Sequence, residues 1–453
     1  MAPPPSRSGV VRGARRILWD VLEEHLEEAA FLWRQRERAL VAPDERLEDL
    51  ADGDEARLLA HLRGLVTGGA AAAERLLRPT LAAEEPQRTG VAAWSLLAMQ
   101  EEDGTIPVLR AMETAEDAPR AGLMRALALS ERPGLDAALL RSALCLQPWP
   151  RAGVLEALVH RRADVGPLLG GLSPGASPPI WRAALHACRL VPLPMASEWL
   201  GGAMEHSRPD LQEAARVTGL IHHLREPWLQ CREEVEQGRV QGRVPLLALA
   251  ISGGMREAEL LIEALRGPLP RDEVLWALGF CGRIPVAEVL LEVLREEASW
   301  LAADSFATIT GLPLDEPRFL EKADADEYDP EEDVEDTRAA EEAVAELPGP
   351  AAPDLKVRVA EVEAWWREAR PRLDARGRYL LGSPWSAKGL VEAMERVSLR
   401  RRPVLAWELA VRSLGACQVE PRAWARVQRA SLTRARDVRL AVQSFDVLMK
   451  RGI

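Results

Sequence analysis

Three stretches align without a gap: Arg88-Thr89-Gly90-Val91, Arg120-Ala121-Gly122-Leu123 and Arg151-Ala152-Gly153-Val154. Each runs on into an apolar segment, Ala92-Ala93-Trp94, Met124-Arg125-Ala126-Leu127 and Leu155-Glu156-Ala157-Leu158. The spacing of about 31 residues is that of paired-helix repeats. Pro119 and Pro150 open two of the three, which suits the first turn of a helix. Looser copies follow around Trp181–Leu185, Ala214–Leu220, Val244–Ile251 and Val274–Leu278, with second helices such as Ile106–Met112, Ala258–Leu265 and Val286–Leu294 between them. Gly170-Gly171, Gly201-Gly202, Gly253-Gly254 and Gly267-Pro268 mark the turns. A helix pair of this size cannot bury its apolar face alone, so neighbours must stack. About seven or eight such units fit between residues 86 and 313. The expected fold is all-α, an α-solenoid of short helical repeats.

Composition agrees. Hydrophobic residues make up 47% and charged residues 28% of the 453, a globular balance. Ala, Leu, Arg and Glu dominate, and Val, Ile and Thr never gather into alternating runs, so strands have little support. No stretch approaches the roughly 20 apolar residues of a membrane span, and Asp20, Glu23 and Glu24 break up the only apolar start near the N-terminus. Cys145, Cys188, Cys231, Cys281 and Cys417 form no CxxC pair and sit in apolar patterns, which predicts buried thiols in a reducing, cytoplasmic setting.

Five regions follow. Residues 1–14 are a loose tail rich in Pro, Ser and Gly. Residues 15–85 form a helical cap, since Leu18, Leu22, Leu26, Ala29 and Trp33 make one stripe opposite Glu23, Glu24, Glu27 and Glu28. Residues 86–313 carry the repeats. Residues 314–354 are an acidic linker: Glu321 to Glu346 holds 13 acidic residues against Lys322 and Arg338, and neither that run nor Pro348–Pro353 can bury enough apolar surface to fold alone. Residues 355–453 are a basic helical region with 21 Lys or Arg against 10 Asp or Glu, a net of +11; with −12 overall, the rest carries −23. Three readings account for the asymmetry. The linker lies over the basic region, or that region binds an acidic protein, or it touches nucleic acid through a stripe of Arg400, Arg401, Arg402, Arg422, Arg426, Arg429, Arg434 and Arg436. A pI near 5.4 argues against the last as the main role.

Candidate chemistry is sparse. His222, His223, Glu226 and Cys231 are the densest ligand-capable set, and on a helix His222 and Glu226 share a face, with Pro227 ending that helix. HEAT-like metal oxygenases present repeated His-Glu pairs, whereas Glu24-His25 and Glu205-His206 have the reverse order. Asp324, Asp326, Tyr328 and Glu335 match a calcium-loop frame whose turn is spoiled by Asp329 and Pro330. Trp94, Trp181, Trp276 and Trp300 recur with the repeats and are expected in inter-repeat packing. P-loop, GxGxxG, GxSxG and HExxH signatures are absent, so no catalytic residue, cofactor or metal is expected.

Near the C-terminal part, Ile309-Thr310-Gly311-Leu312-Pro313-Leu314 precedes the acidic linker, followed by Val362-Glu363-Ala364-Trp365-Trp366 and Gly377-Arg378-Tyr379-Leu380-Leu381-Gly382. With Leu18-Trp19-Asp20, Glu23-Glu24-His25 and Ala29-Ala30-Phe31-Leu32-Trp33, this resembles a family of uncharacterised bacterial HEAT-repeat-like proteins. Such proteins occur in proteobacteria, including myxobacteria and pseudomonads, and are sometimes encoded near type VI secretion components. The resemblance implies a HEAT-like solenoid and a cytoplasmic adaptor, effector chaperone or immunity-like binder, and it supplies no catalytic residues. The expected function is a non-catalytic protein-binding scaffold whose groove or ends meet a protein partner. Alternatives are a HEAT-type enzyme, a nucleic-acid-acting protein or an architectural oligomeric subunit. The candidate partner-binding residues, taken as exposed, are Trp366, Arg400, Arg401, Arg402, Arg426 and Arg429.

Overall fold

The computed structural model describes residues 17–100, 103–143, 145, 148–175, 177–322, 346–353 and 355–452. The helices Trp19–Ala39, Leu47–Asp52 and Asp54–Thr67 form the cap. Seven helix pairs follow: Pro86–Ala98 with Thr105–Thr114, Asp117–Leu129 with Leu135–Ala143, Pro148–His160 with Gly166–Leu169, Pro178–Ala187 with Leu193–Met204, Pro209–Ile221 with Arg225–Glu236, Val244–Ile251 with Met255–Ala264, and Arg271–Leu278 with Ile284–Glu297. Trp300–Thr310 ends the row. Prolines stand in the opening turn of several first helices, where their missing N–H costs nothing. No described helix is long and apolar enough to cross a membrane.

First and second helices differ because of what covers them. Each first helix packs on the one before and the one after it. Val244–Ile251 is buried at every position, and Trp300–Thr310 at every position but Asp304. A helix apolar all round belongs inside. Second helices keep a polar outer face; Met255–Ala264 buries only Glu257, Ala258, Leu261 and Ala264. Polar side chains also tie each pair to the next. Arg132 donates to the Met99 carbonyl at 2.6 Å, Thr218 to Leu185 at 2.9 Å, His222 to Cys188 at 2.8 Å and Ser305 to Leu275 at 2.8 Å. Arg161 reaches the carbonyl of Ser130, and Arg283 that of Gly253, in the same way. Donor and acceptor in these bonds are 30–34 residues apart, so the repeat period of the sequence reappears as a hydrogen-bond period. The bonds satisfy carbonyls at or near the ends of first helices, which have no partner within their own helix.

The row does not stay open. Arg46 of the cap pairs with Asp315, just beyond the last helix, at 2.9 Å. Arg400 donates to the Val41 carbonyl of the cap at 2.6 Å, while its neighbour Arg401 grips Asp304 of the last helix at 2.9 Å. Two adjacent residues thus touch both ends of the row. Inside the resulting ring lies the helix Arg402–Arg412, buried at every position except Pro403 and packed on Pro209–Ile221 and Val244–Ile251. We call it the hub. The open groove expected of a solenoid is therefore occupied by the chain itself.

The segments flanking the hub run along the ends of the first helices. Leu381 and Gly382 donate backbone N–H bonds to Thr308 and Ile309, and Tyr379 to Gly282. Arg412 donates to Ile251 at 2.8 Å, Gln418 to Arg189 at 2.6 Å and Trp424 to Leu129 at 2.8 Å. His223, held at a φ of 59°, donates to Val411 at 2.7 Å. The contact between Thr310-Gly311 and Leu381-Gly382 requires both glycines. Their φ values are 77° and 74°, and a Cβ on either would lie within 2.7 Å of a backbone oxygen of the other segment.

Two short antiparallel ladders are the departure from an expectation of few strands: Leu320–Lys322 with Leu355–Val357, and Tyr379–Leu380 with Ser383–Pro384. Both arise where an irregular segment crosses a helix end and needs backbone partners. The part of the linker at 346–353 is packed: Leu347 is buried and the carbonyls of Gly349 and Pro350 accept from Arg400. That stretch lacks the apolar surface to fold alone and gains it from the ring.

Two outcomes are expected. Glu408 is the one carboxylate in the apolar hub and holds Arg378 at 2.8 Å and Arg412 at 2.6 Å. Glu408→Ala leaves two buried guanidiniums short of a counter-charge and should cost about 3–5 kcal/mol in urea unfolding; a loss under about 1 kcal/mol would show that the hub does not depend on this carboxylate. Burial also lowers the pKa of His61, His186, His222 and His223, that of His186 to about 4. The native state then binds fewer protons than the unfolded one, so stability is complete above the unfolded histidine value of roughly 6.5 and is lost as pH falls through it. A decline of about 1–2 kcal/mol from pH ~7.5 to pH ~5 is expected, and a flat unfolding midpoint across that range would contradict it.

Candidate partner-binding surface

Four of the six candidate residues are inside. Trp366 is buried, edge-on to Phe306 at 5.1 Å and stacked beside the half-buried Trp365. Its helix Val359–Ala369 presents Val362 and Trp366, at i and i+4, to the ring, which decides which of the adjacent tryptophans goes in. Arg400, Arg401 and Arg402 are at most 4% exposed. Arg400 serves backbone carbonyls of the cap and of the linker. Arg401 pairs with Asp304 and lies 4.3 Å over the Trp276 ring, a cation–π contact. Arg402 donates to Gln428 at 2.6 Å; burial pushes its pKa down to about 9, with Glu395 opposing. A run of three arginines reads as a solvated face, yet here it is the joint between hub and ring.

Arg426 and Arg429 are exposed on the helix Ala425–Ala435. Arg426 makes a two-pronged pair with Glu131. The proposed nucleic-acid stripe is thereby broken: its first three members are buried, Arg422 pairs with Glu37 at 3.1 Å, and Arg436 with Glu395 at 3.2 Å.

Much of the basic region's charge is spent within the chain. Glu37 receives Arg36 and Arg125 at 2.9 Å, besides Arg422. Burial opposes its charge, but the guanidiniums of Arg125, Arg422 and Arg36 outweigh that and hold its pKa down to about 2. Cap, second pair and C-terminal region meet at this one carboxylate. Glu420 is likewise held below the usual carboxylate range: burial works against its charge and His160, at 2.9 Å, outweighs it. The acidic residues 323–345, and with them the calcium-loop frame, lie outside the described residues. Among the described residues the linker meets the basic region in the pair of Glu321 with Arg358 at 3.2 Å, and further neutralisation lies between the basic region and the acidic cap and repeats.

The histidine set comes apart for a local reason. The helix ends at Ile221 and the next begins at Arg225, so His222 and Glu226 do not share a helix, and Pro227 opens the second helix rather than closing the first. Both imidazoles donate to carbonyls. Among the described residues no three His, Cys, Asp or Glu side chains converge. Cys188, Cys231 and Cys281 are buried, which pushes each thiol up to about 12; Cys145 is exposed, against expectation. Trp181, Trp276 and Trp300 are buried in the repeats, and Trp94 is half-buried.

Trp94 leads to a concavity that joins three parts of the chain. A cleft of about 510 Å³ is lined by Leu59 and Arg63 of the cap, Trp94, Leu97 and Met99 of the first pair, the turn Ser130–Pro133, and Arg426. Leu59 and Arg63 stand one turn apart on Asp54–Thr67, whose Leu58, Leu62 and Leu65 face the core. Trp94 is fixed edge-on to Trp424 at 6.0 Å. A second cleft of about 610 Å³ lies between the second helices of the first two pairs and shares Gln100, Arg132 and Pro133. Sequence reasoning missed Arg63, whose helix position became informative only once Arg426, 363 positions later, was placed beside it.

No family model matches the chain, and no curated protein matches it. Among solved structures, an engineered protein is similar at 11% identity and a TM-score of 0.24, over 91% of this chain and 99% of that one. Human deoxyhypusine hydroxylase in complex with glycerol is similar at 15% identity and a TM-score of 0.19, over 64% of this chain and 95% of that one. Overlaps this loose carry no argument about activity.

Proposed function

We propose that the chain is a non-catalytic scaffold that holds a protein partner on its outer surface, acting in the cytoplasm as an adaptor. The supporting observation is the hub helix: with the ring's interior filled, the surface left for a partner is the outer second helices and the edge bearing Arg63, Arg426 and Arg429. A rigid ring suits this role, since a preformed surface loses little conformational freedom on binding. The family resemblance adds a setting: the partner is a component or cargo of a type VI-like secretion apparatus.

Affinity capture with the tagged full chain from its own host, followed by mass spectrometry, tests the reading. One stoichiometric protein partner is expected; recovery of nucleic acid alone, or of no protein, overturns it. Arg429→Glu, an exposed change expected to move stability by less than about 0.5 kcal/mol, should lower recovery at least about threefold and weaken its salt dependence. Recovery unaffected by this reversal removes Arg429 from the interface.

A further inference from the structure

We propose that the cleft between cap, first pair and C-terminal helix is a docking site for an acidic peptide segment that carries an aromatic or aliphatic side chain next to its carboxylates. The proposal rests on the scaffold reading and names the chemistry of the partner. The floor is apolar, made by Leu59, Trp94, Leu97 and Met99. Three guanidiniums line it, those of Arg63, Arg132 and Arg426, against the single carboxylate of Glu131. Such a combination of apolar floor and few convergent charged groups is how binding clefts fix a ligand's orientation.

Each cation stands in a different state. Arg63 is exposed, and among the described residues its side chain makes no hydrogen bond or ion pair. Arg132 is held in place by the carbonyls of Leu97 and Met99 at 3.3 and 2.6 Å and by a looser ion pair with Asp103 at 3.8 Å. Arg426 is engaged by Glu131, and both members of that pair are about half exposed. An exposed pair of this kind contributes little net stability, so an incoming carboxylate can take Glu131's place at small cost. Glu131 thus shows where a ligand carboxylate sits. A guanidinium fork matches a carboxylate with two parallel bonds, which favours arginine for this task.

The aromatic wall is ready before any ligand arrives. Trp94 is pinned by its edge contact with Trp424 and by donation to the Leu129 carbonyl at 3.4 Å, while Trp424 donates to the same oxygen at 2.8 Å. The adjoining cleft, with the exposed Ile106 and the half-buried Leu109, continues across Arg132 and Pro133. Two clefts joined by a shared rim suit an extended segment better than a compact small molecule. The net charge of −12 repels an acidic segment at long range, so the three arginines act at short range and binding weakens as salt rises.

The test uses the full chain and a fluorescein-labelled hexapeptide in which two glutamates flank one phenylalanine, read by fluorescence polarisation at about 50 mM salt. Saturable binding is expected, at least about tenfold weaker for the double variant Arg63→Glu, Arg426→Glu and for a peptide with glutamines in place of the glutamates. Glu131→Gln removes the internal competitor and should tighten binding about threefold or more, a gain that a misfolded variant cannot produce. No saturable binding, equal binding by the double variant or the glutamine peptide, or no gain from Glu131→Gln overturns the proposal. The double variant also separates it from the scaffold reading. If that variant captures the cellular partner as well as the unaltered chain does, the cleft is rejected and the scaffold stands. Peptide binding by a chain that captures no protein at all rejects the scaffold.

Discussion

The structure depends on two neighbouring arginines that pull in different directions. Arg400 holds the cap through the Val41 carbonyl, and Arg401 holds the last helix through Asp304. The backbone between them is one peptide unit, so the two ends of a row of seven helix pairs are tied through adjacent residues, no farther apart than two arginine side chains reach. That constraint sets the curvature, and the curvature creates an interior only one helix wide. The hub fills it with Val404, Leu405, Trp407, Leu409 and Val411, each worth about 1.5–3 kcal/mol of apolar burial. Carbonyls at the ends of the first helices then find partners in the flanking segments rather than in water.

Charge follows the same logic. A basic region of net +11 beside a remainder of net −23 looks, as a sequence, like an advertisement for an external partner. In the folded chain Arg422 closes on Glu37, Arg378 and Arg412 on Glu408, and Arg426 on Glu131. Glu408 is buried and Glu37 half-buried among several guanidiniums, where losing one member leaves charge short of solvent and of a partner. These pairs therefore fix which surfaces meet, more than they add to net stability.

The helices were legible because their signal is local. Gly90, Gly122 and Gly153 fall in successive first helices, and the prolines ahead of them open those helices. What was not legible is non-local. Arg400-Arg401-Arg402 has the composition of a solvated patch, and only the meeting of residues 41, 304 and 428 around it turns it inward. Trp365-Trp366 carries its answer in helical phase, with Val362 one turn away from Trp366. Glu408 had a readable signal too, a lone carboxylate within Val404-Leu405-Ala406-Trp407 and Leu409-Ala410-Val411. The cleft at Arg63 had none, since its two cationic walls are separated by most of the chain.

Ring closure also has a bearing on how the chain comes to be folded. The bond from Arg36 to the Ala423 carbonyl spans 387 residues. Repeat proteins ordinarily build up neighbour by neighbour, each unit needing only the one before it. Here the repeats satisfy some helix-end carbonyls among themselves, but Leu129, Arg189 and Ile251 gain the donors Trp424, Gln418 and Arg412 only after the hub and the residues following it have been synthesised. For most of the time on the ribosome the nascent chain thus presents an apolar trough, the kind of transient surface that chaperones cover. The ring cannot close before those residues are made, so its N-terminal cap gains part of its bonding from residues hundreds of positions later.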